Sequence, residues 1–180
     1  MLVVSDVYTL PDLLARAVNE HPDSDIVVFP NSRTTFTELY ERASKAARSL
    51  KAIGINQGDS VGILMSNCIE FVDLLLGSQL IGAIPVPINA RYKAKELAYV
   101  IDDAGLKVLA TTDRIVEHVD FVKLLQEAFP DLENQADPMR LELSEARNLN
   151  SIILFGERMP TGMLDTCLLY TSDAADDRGC

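Results

Sequence analysis

The chain has 180 residues, 48% of them hydrophobic, and a formal net charge of −11. That is enough apolar material for the core of one ordinary domain, and without clustered Lys and Arg it excludes a binder that works by neutralising nucleic-acid phosphates. MLVVSDVYTLPD lacks the basic start and apolar stretch of a signal peptide, and Ser78, Gln79, Pro85 and Pro87 break the apolar run Leu74 to Ile88 short of a membrane span, so the chain reads as acidic and cytoplasmic. Cys68, Cys167 and Cys180 have no metal-ligand spacing, and Cys68, at a predicted helix start, reads as a packing residue.

In chain order, Thr9 precedes LPDLLARAVNEH, with Pro11 in the first turn and Asp12 three residues on, which predicts a helix opened by a capping box. DIVVFP reads as a strand and PNSRT as the turn after it. Thr37 is expected to cap a second helix, whose inner face carries Leu39, Ala43, Ala46, Ala47, Leu50 and Ile53. Gly54 supplies the left-handed end of that helix, and Gln57-Gly58-Asp59 turns the chain into the next strand.

Ser60 to Thr112 then reads SVGILM, SNCIEFVDLLLGSQLIG, AIPVPI, NARYKAKELAYVIDDAG and KVLATT: strand, helix, strand, helix, strand. Short Val- and Ile-rich runs alternating with helical periods predict an α/β fold, a mostly parallel sheet with flanking helices. Ligands of such a sheet belong beyond the carboxyl ends of its strands. Asn67 and Glu70 are expected to form a reciprocal cap, and the helix they open is apolar nearly all round, which predicts burial between other elements. Two prolines place AIPVPI at a sheet edge or in a bent strand. A third helix carries Leu97, Val100, Ile101 and Ala104 on one face, and a fourth carries Ile115, Val119, Val122, Leu125 and Phe129. Pro130 to Asn150 loses the periodicity and reads as a surface connection with at most a short helix, before SIILF restores a strand.

Few residues stand out chemically. The Ser66-Asn67 turn has no glycine, so the phosphate-approach fingerprint of dinucleotide folds is missing, and with no nearby His as base Ser66 reads as a capping residue. His21, at a helix end, and His118 read as ordinary surface residues. Asp102 and Asp103 are adjacent on a helix, about 100° apart, and cannot converge on one substrate.

Four motifs in register carry a resemblance. Thr35-Phe36-Thr37-Glu38-Leu39, Gly54-x-x-x-Gly58-Asp59-x-Val61, Ser66-Asn67-x-x-Glu70 and Gly82-Ala83-Ile84-Pro85-Val86-Pro87-Ile88-Asn89 resemble the opening motifs of the AMP-forming acyl-CoA synthetases. These belong to the adenylate-forming superfamily, which also holds luciferases and peptide-synthetase adenylation domains. The order and spacing match from Leu10 to Asp165. Asn89 with Ala90-Arg91-Tyr92 and Lys95-Glu96-Leu97 is more similar to fatty or aryl acyl-CoA ligases, since peptide-synthetase domains usually carry Asp at the first of these positions.

The resemblance implies a two-step ligase that takes a carboxylic acid, ATP, Mg and CoA. The acid attacks the α-phosphate of ATP to give an acyl-adenylate and pyrophosphate, and the CoA thiol then displaces AMP. It also implies that the phosphate loop, metal carboxylate and catalytic Lys follow the region covered here. This chain is therefore expected to hold no catalytic or metal-binding residue, to bind none of these cofactors tightly and to be inactive alone. Arg91 is the one residue carried over, matching an Arg that reaches the CoA nucleotide phosphate in some CoA ligases; the plain reading is a solvated or helix-capping Arg at the mouth of the sheet.

Tyr170-Thr171-Ser172 is similar to the start of the family's phosphate loop, but Asp173, Asp176 and Asp177 follow where glycines and a Lys are needed, and carboxylates repel a triphosphate. Cys167 to Asp176 instead resembles, codon for codon, the translation of a transposon-derived sequencing adapter, tgt ctc tta tac aca tct gac gct gcc gac. Residues 1–166 are thus expected to be the N-terminal part of an AMP-dependent synthetase domain and 167–180 a non-native scar. Two alternatives stay open at this level, a small non-catalytic α/β binding module and a ligase-derived interaction protein.

Overall fold

The structure, a computed structural model, describes residues 9–115 and 118–166. Helix α1 (Leu10–Glu20) opens on the expected capping box: the Asp12 N–H donates to Thr9 Oγ1 at 3.2 Å and the Thr9 N–H to Asp12 Oδ2 at 3.1 Å. Strand β1 (Asp25–Phe29) follows. PNSRT is not all turn: β2 (Ser32–Thr35) pairs antiparallel with β1, leaving only Pro30 and Asn31 at the tip. A polar four-residue strand on a two-stranded hairpin has no apolar alternation to announce it.

Helix α2 (Phe36–Ala52) starts two residues earlier than its sequence suggests. Thr35, not Thr37, is the N-cap, exchanging bonds with Glu38 at 3.3 and 2.8 Å, while the Thr37 hydroxyl donates to the Pro22 carbonyl. Its inner face is the expected one, with Leu39, Ala43, Ala46, Ala47 and Leu50 buried and Ile53 half-buried.

The main sheet comprises β3 (Ser60–Leu64), β4 (Ile84–Pro87), β5 (Leu106–Thr112), β6 (Ser151–Phe155) and β7 (Leu164–Asp165), in the order β4-β3-β5-β6-β7, and every pair is parallel. The proline-bearing β4 lies at one edge, where its missing N–H donors cost no ladder bonds. Two-residue β7 at the other edge is too short to leave a sequence signal.

Alternation along the strands sorts the core into two layers. Val61, Ile63, Val108, Ala110, Ile153 and Phe155 face one cluster, which takes in Leu50 of α2 and Leu74 of α3 (Ile69–Leu80). Leu64, Leu109, Ile152 and Leu154 face the other, beneath α4 (Ala94–Asp103) and α5 (Phe121–Ala128).

Helix α3 departs from expectation twice. Cys68 is its N-cap and makes no side-chain cap bond; Glu70, expected to return to Asn67, turns its carboxylate to Arg114. Nor is the helix enclosed. Asp73, Leu74, Gly77 and Ser78 are buried, while Ile69, Phe71, Val72, Leu75, Leu76 and Leu80 are half-buried. Arg42 of α2 grips Asp73 through two parallel bonds, at 3.0 and 2.7 Å, so a charged pair sits inside the α2–α3 contact.

Helix α5 begins only at Phe121, with Asp120 as N-cap; Ile115 and Val119, expected on the helix, precede it and pack half-buried against the core. The connection from Pro130 to Asn150 has the one short 3-10 turn (Leu132–Asn134) but does more than cross the surface. It buries Leu132, Leu141, Leu143, Ala146 and Leu149, and Gln135 stands in for a strand, accepting from the Glu142 N–H at 2.8 Å and donating to the Glu142 carbonyl at 3.3 Å.

Candidate functional site

The carboxyl ends of the strands are tied together by side chains that extend the ladder. Thr111 Oγ1 donates to the Leu64 carbonyl at 2.9 Å and Thr112 Oγ1 to the Phe155 carbonyl at 2.7 Å. Asp113, buried just past β5, accepts the N–H groups of Glu157 and Arg158 at 3.2 and 2.9 Å. Gly156 makes room for this, because a β-carbon there would overlap the Asp113 carboxylate.

Chains leaving β3 and β5, which are neighbours, turn to opposite layers, so the crevice between their loops is the topological switch point where open α/β sheets bind ligands. Here the crevice is spanned by an ion pair between Arg114, after β5, and Glu70, in the first turn of α3. Burial pushes the Glu70 carboxyl up, but its own backbone N–H and the Arg114 guanidinium outweigh that and hold it below the ordinary value of 4.5. Asp120 behaves alike: burial raises it, and the Lys123 N–H and Arg158 guanidinium bring it below 3.8. Asp73 is the opposite case, since burial raises it and Arg42 only partly offsets that.

The signs give a testable pH profile. Glu70 and Asp120 contribute stability that is present above their unfolded values and lost as pH falls through the folded ones; Asp73 contributes below its unfolded value and loses it as pH rises. Glu70→Gln is therefore expected to flatten the loss of stability below about pH 4.5, and Asp73→Asn to steepen it, in urea titrations at several pH values. Equal slopes in all three proteins would contradict the assignment.

Open space also lies one strand over. A cleft of about 410 Å³ is lined by Ala90, Arg91, Tyr92 and Lys93 from the loop after β4, and by His118, Val119, Asp120, Lys123, Leu124 and Glu127 around the start of α5. Arg91 and Lys93 on the loop before α4 and Lys123 in the first turn of α5 thus line one cleft where two helices begin, whose N-terminal ends carry partial positive charge. Arg91 is exposed, and its backbone N–H donates to Asn89 Oδ1 at 3.0 Å. His118, read from sequence as an ordinary surface residue, is exposed and also lines the cleft; Lys93 and Lys123 gave no sequence signal, because only the fold brings these loops together.

The other sequence candidates do not converge. His21 caps the end of α1, Asp102 and Asp103 are exposed, and Ser66 is half-buried. Burial pushes the half-buried Cys68 thiol up, away from reactive thiolate. Among the described residues no group of three or more His, Cys, Asp or Glu could hold a metal ion, and no helix is long and apolar enough to cross a membrane. The segment read as an adapter, 167–180, lies outside the described residues.

Known proteins resemble this chain in sequence and in fold. Residues 14–172 match the family model described as AMP-binding enzyme. The acyl-CoA ligase sidI of Aspergillus fumigatus is 35% identical over 112 residues, which are 61% of this chain and 19% of that protein. Among solved structures, a Mycobacterium tuberculosis fatty acyl CoA synthetase superposes with TM-score 0.65 at 27% identity, covering 81% of this chain and 26% of that one. The inhibitor-bound N-terminal domain of FACL13 from Mycobacterium tuberculosis does so with TM-score 0.66 at 26% identity, covering 97% and 38%. The chain spans between 19% and 28% of the length of the first curated relatives it matches.

Proposed function

This chain belongs to the AMP-binding enzyme family, and from that premise we propose that it is the N-terminal portion of a cytoplasmic acyl-CoA ligase for a fatty carboxylic acid. Several of its homologues are named acyl-CoA ligases or synthetases, and the match across residues 14–172 is the observation that carries the reading. The whole enzyme joins the acid to ATP with loss of pyrophosphate, then passes the acyl group from AMP to the CoA thiol. Nothing favours the two alternatives, a free-standing binding module or a non-catalytic relative.

Within that enzyme this chain supplies the sheet and one wall of the site. Arg91 meets a phosphate of the CoA nucleotide, in the cleft it shares with Lys93, His118 and Lys123. A doubly charged phosphate suits that setting: cations on the loop after β4 and in the first turn of α5, at two helix starts, inside a protein of net charge −11. The phosphate loop, Mg carboxylate and catalytic Lys belong to sequence beyond this chain.

We take residues 1–166 as native and 167–180 as the adapter scar. The family match runs to Ser172, and Tyr170-Thr171-Ser172 is the part that coincides with the loop; the three Asp that follow support the scar. Carboxylate-dependent exchange of pyrophosphate into ATP tests the whole reading. No exchange is expected from the 180-residue chain, and exchange is expected once the downstream reading frame after Asp165 is joined to it. Turnover by the chain alone, or none by the joined protein, would overturn it.

A further inference from the structure

The cationic cleft contains two acids: Glu127, whose Oε1 lies 4.0 Å from Lys123 Nζ, and Asp120, which is in the more awkward place. Asp120 caps α5, accepting the Lys123 N–H at 3.1 Å, and lines the same space as Arg91, Lys93 and Lys123. Left uncompensated, it would repel any anion the cations attract. Arg158, from the loop after β6, reaches it from outside the cleft lining and donates Nη1 to Asp120 Oδ1 at 2.8 Å. The reach is not accidental to a floppy loop, because the Arg158 N–H is held at 2.9 Å by buried Asp113, which sits at the end of the central strand β5. Sheet, Arg158 backbone, Arg158 guanidinium and Asp120 form one chain of bonds that ends at the cleft wall.

We propose that Arg158 is a positioning residue for the phosphate-binding cleft: it neutralises Asp120 and holds the start of α5, so that a bisphosphate nucleotide meets net positive charge. The inference rests on the reading of the cleft as the CoA nucleotide site and adds a residue that does not touch the ligand. It follows that one carboxylate is kept for capping without being felt by the anion, which explains why an acid is tolerated there.

The test is titration of the 180-residue chain with adenosine 3′,5′-bisphosphate, followed by NMR at low salt. Weak saturable binding is expected, lessened by Arg91→Ala. Arg158→Met is expected to weaken it roughly five-fold, the effect of one exposed unit charge at several ångströms. Asp120→Asn, which keeps a good helix cap, should restore binding in the Arg158→Met background. The five-fold difference should shrink as salt shortens the reach of the charge, whereas a loss caused by misfolding would persist and would not be rescued.

If Arg91→Ala weakens binding and Arg158→Met does not, the role of Arg158 is wrong and the cleft stands. Absence of saturable binding, or indifference to Arg91→Ala, would overturn the cleft reading and this inference with it.

Discussion

Phe121→Ala is expected to cost about 4 kcal/mol, the typical price of emptying a fully buried aromatic site. Phe121 has no exposed surface and is the first residue of α5, a helix of only eight residues. A helix that short does not persist in water by its own hydrogen bonds; it stays because one face is buried. Phe121, Val122, Leu125 and Ala128 are that face, with Phe129 directly after. Loss of the ring leaves a cavity under the helix start that holds Asp120 and Lys123, so the cleft should loosen together with the core. A fall in urea midpoint with little change in m would confirm it, whereas a loss below about 1 kcal/mol would show that α5 is not docked as described.

The second large effect reverses an intrinsic preference. Helix propensity alone favours alanine over glycine by about 1 kcal/mol in a helix interior, so Gly77, inside α3, looks like a site to improve. The structure says otherwise. A β-carbon at Gly77 would lie 2.8 Å from the Ala43 carbonyl oxygen, 2.8 Å from Ala46 Cβ and 3.0 Å from the Ala47 nitrogen. These are atoms of the α2 framework that cannot swing away, so the two helices must part. Gly77→Ala is expected to destabilise despite its propensity, and Gly77→Val by about 3 kcal/mol, at the upper end of overpacking costs. Separation would also strain the Arg42–Asp73 pair across the same contact. Thermal unfolding of both variants tests this, and a rise in midpoint for Gly77→Ala would contradict the close approach.

The sequence is legible wherever an element repeats its own pattern. Leu97 with Ile101, and Val122 with Leu125, are buried as their spacing predicts, the apolar runs of β3 and β5 are buried, and the prolines of β4 lie at an edge. It misleads where two local choices compete. Thr35 and Thr37 are both good caps, and only Glu38, three residues after Thr35, completes a reciprocal pair. Asn67 and Glu70 have the right spacing too, but a buried-side carboxylate gains more from a guanidinium than from a backbone N–H, and Arg114 lies 44 residues away.

The same division holds for the site. Arg91 could be singled out because a motif surrounds it, while Lys93, Lys123, Asp120 and Arg158 belong to no motif. They acquire meaning from the order β4-β3-β5-β6, which sets the loops after β4, β5 and β6 around one end of the sheet. Periodicity, turn residues and four short motifs by themselves determined the α/β class, most helix faces and the family, because each is written in residues close together in the chain. Which charges share a cleft, which acid is neutralised and which glycine two helices require were decided only by tertiary structure, because Coulombic and steric contacts depend on distance in space and not on distance along the backbone.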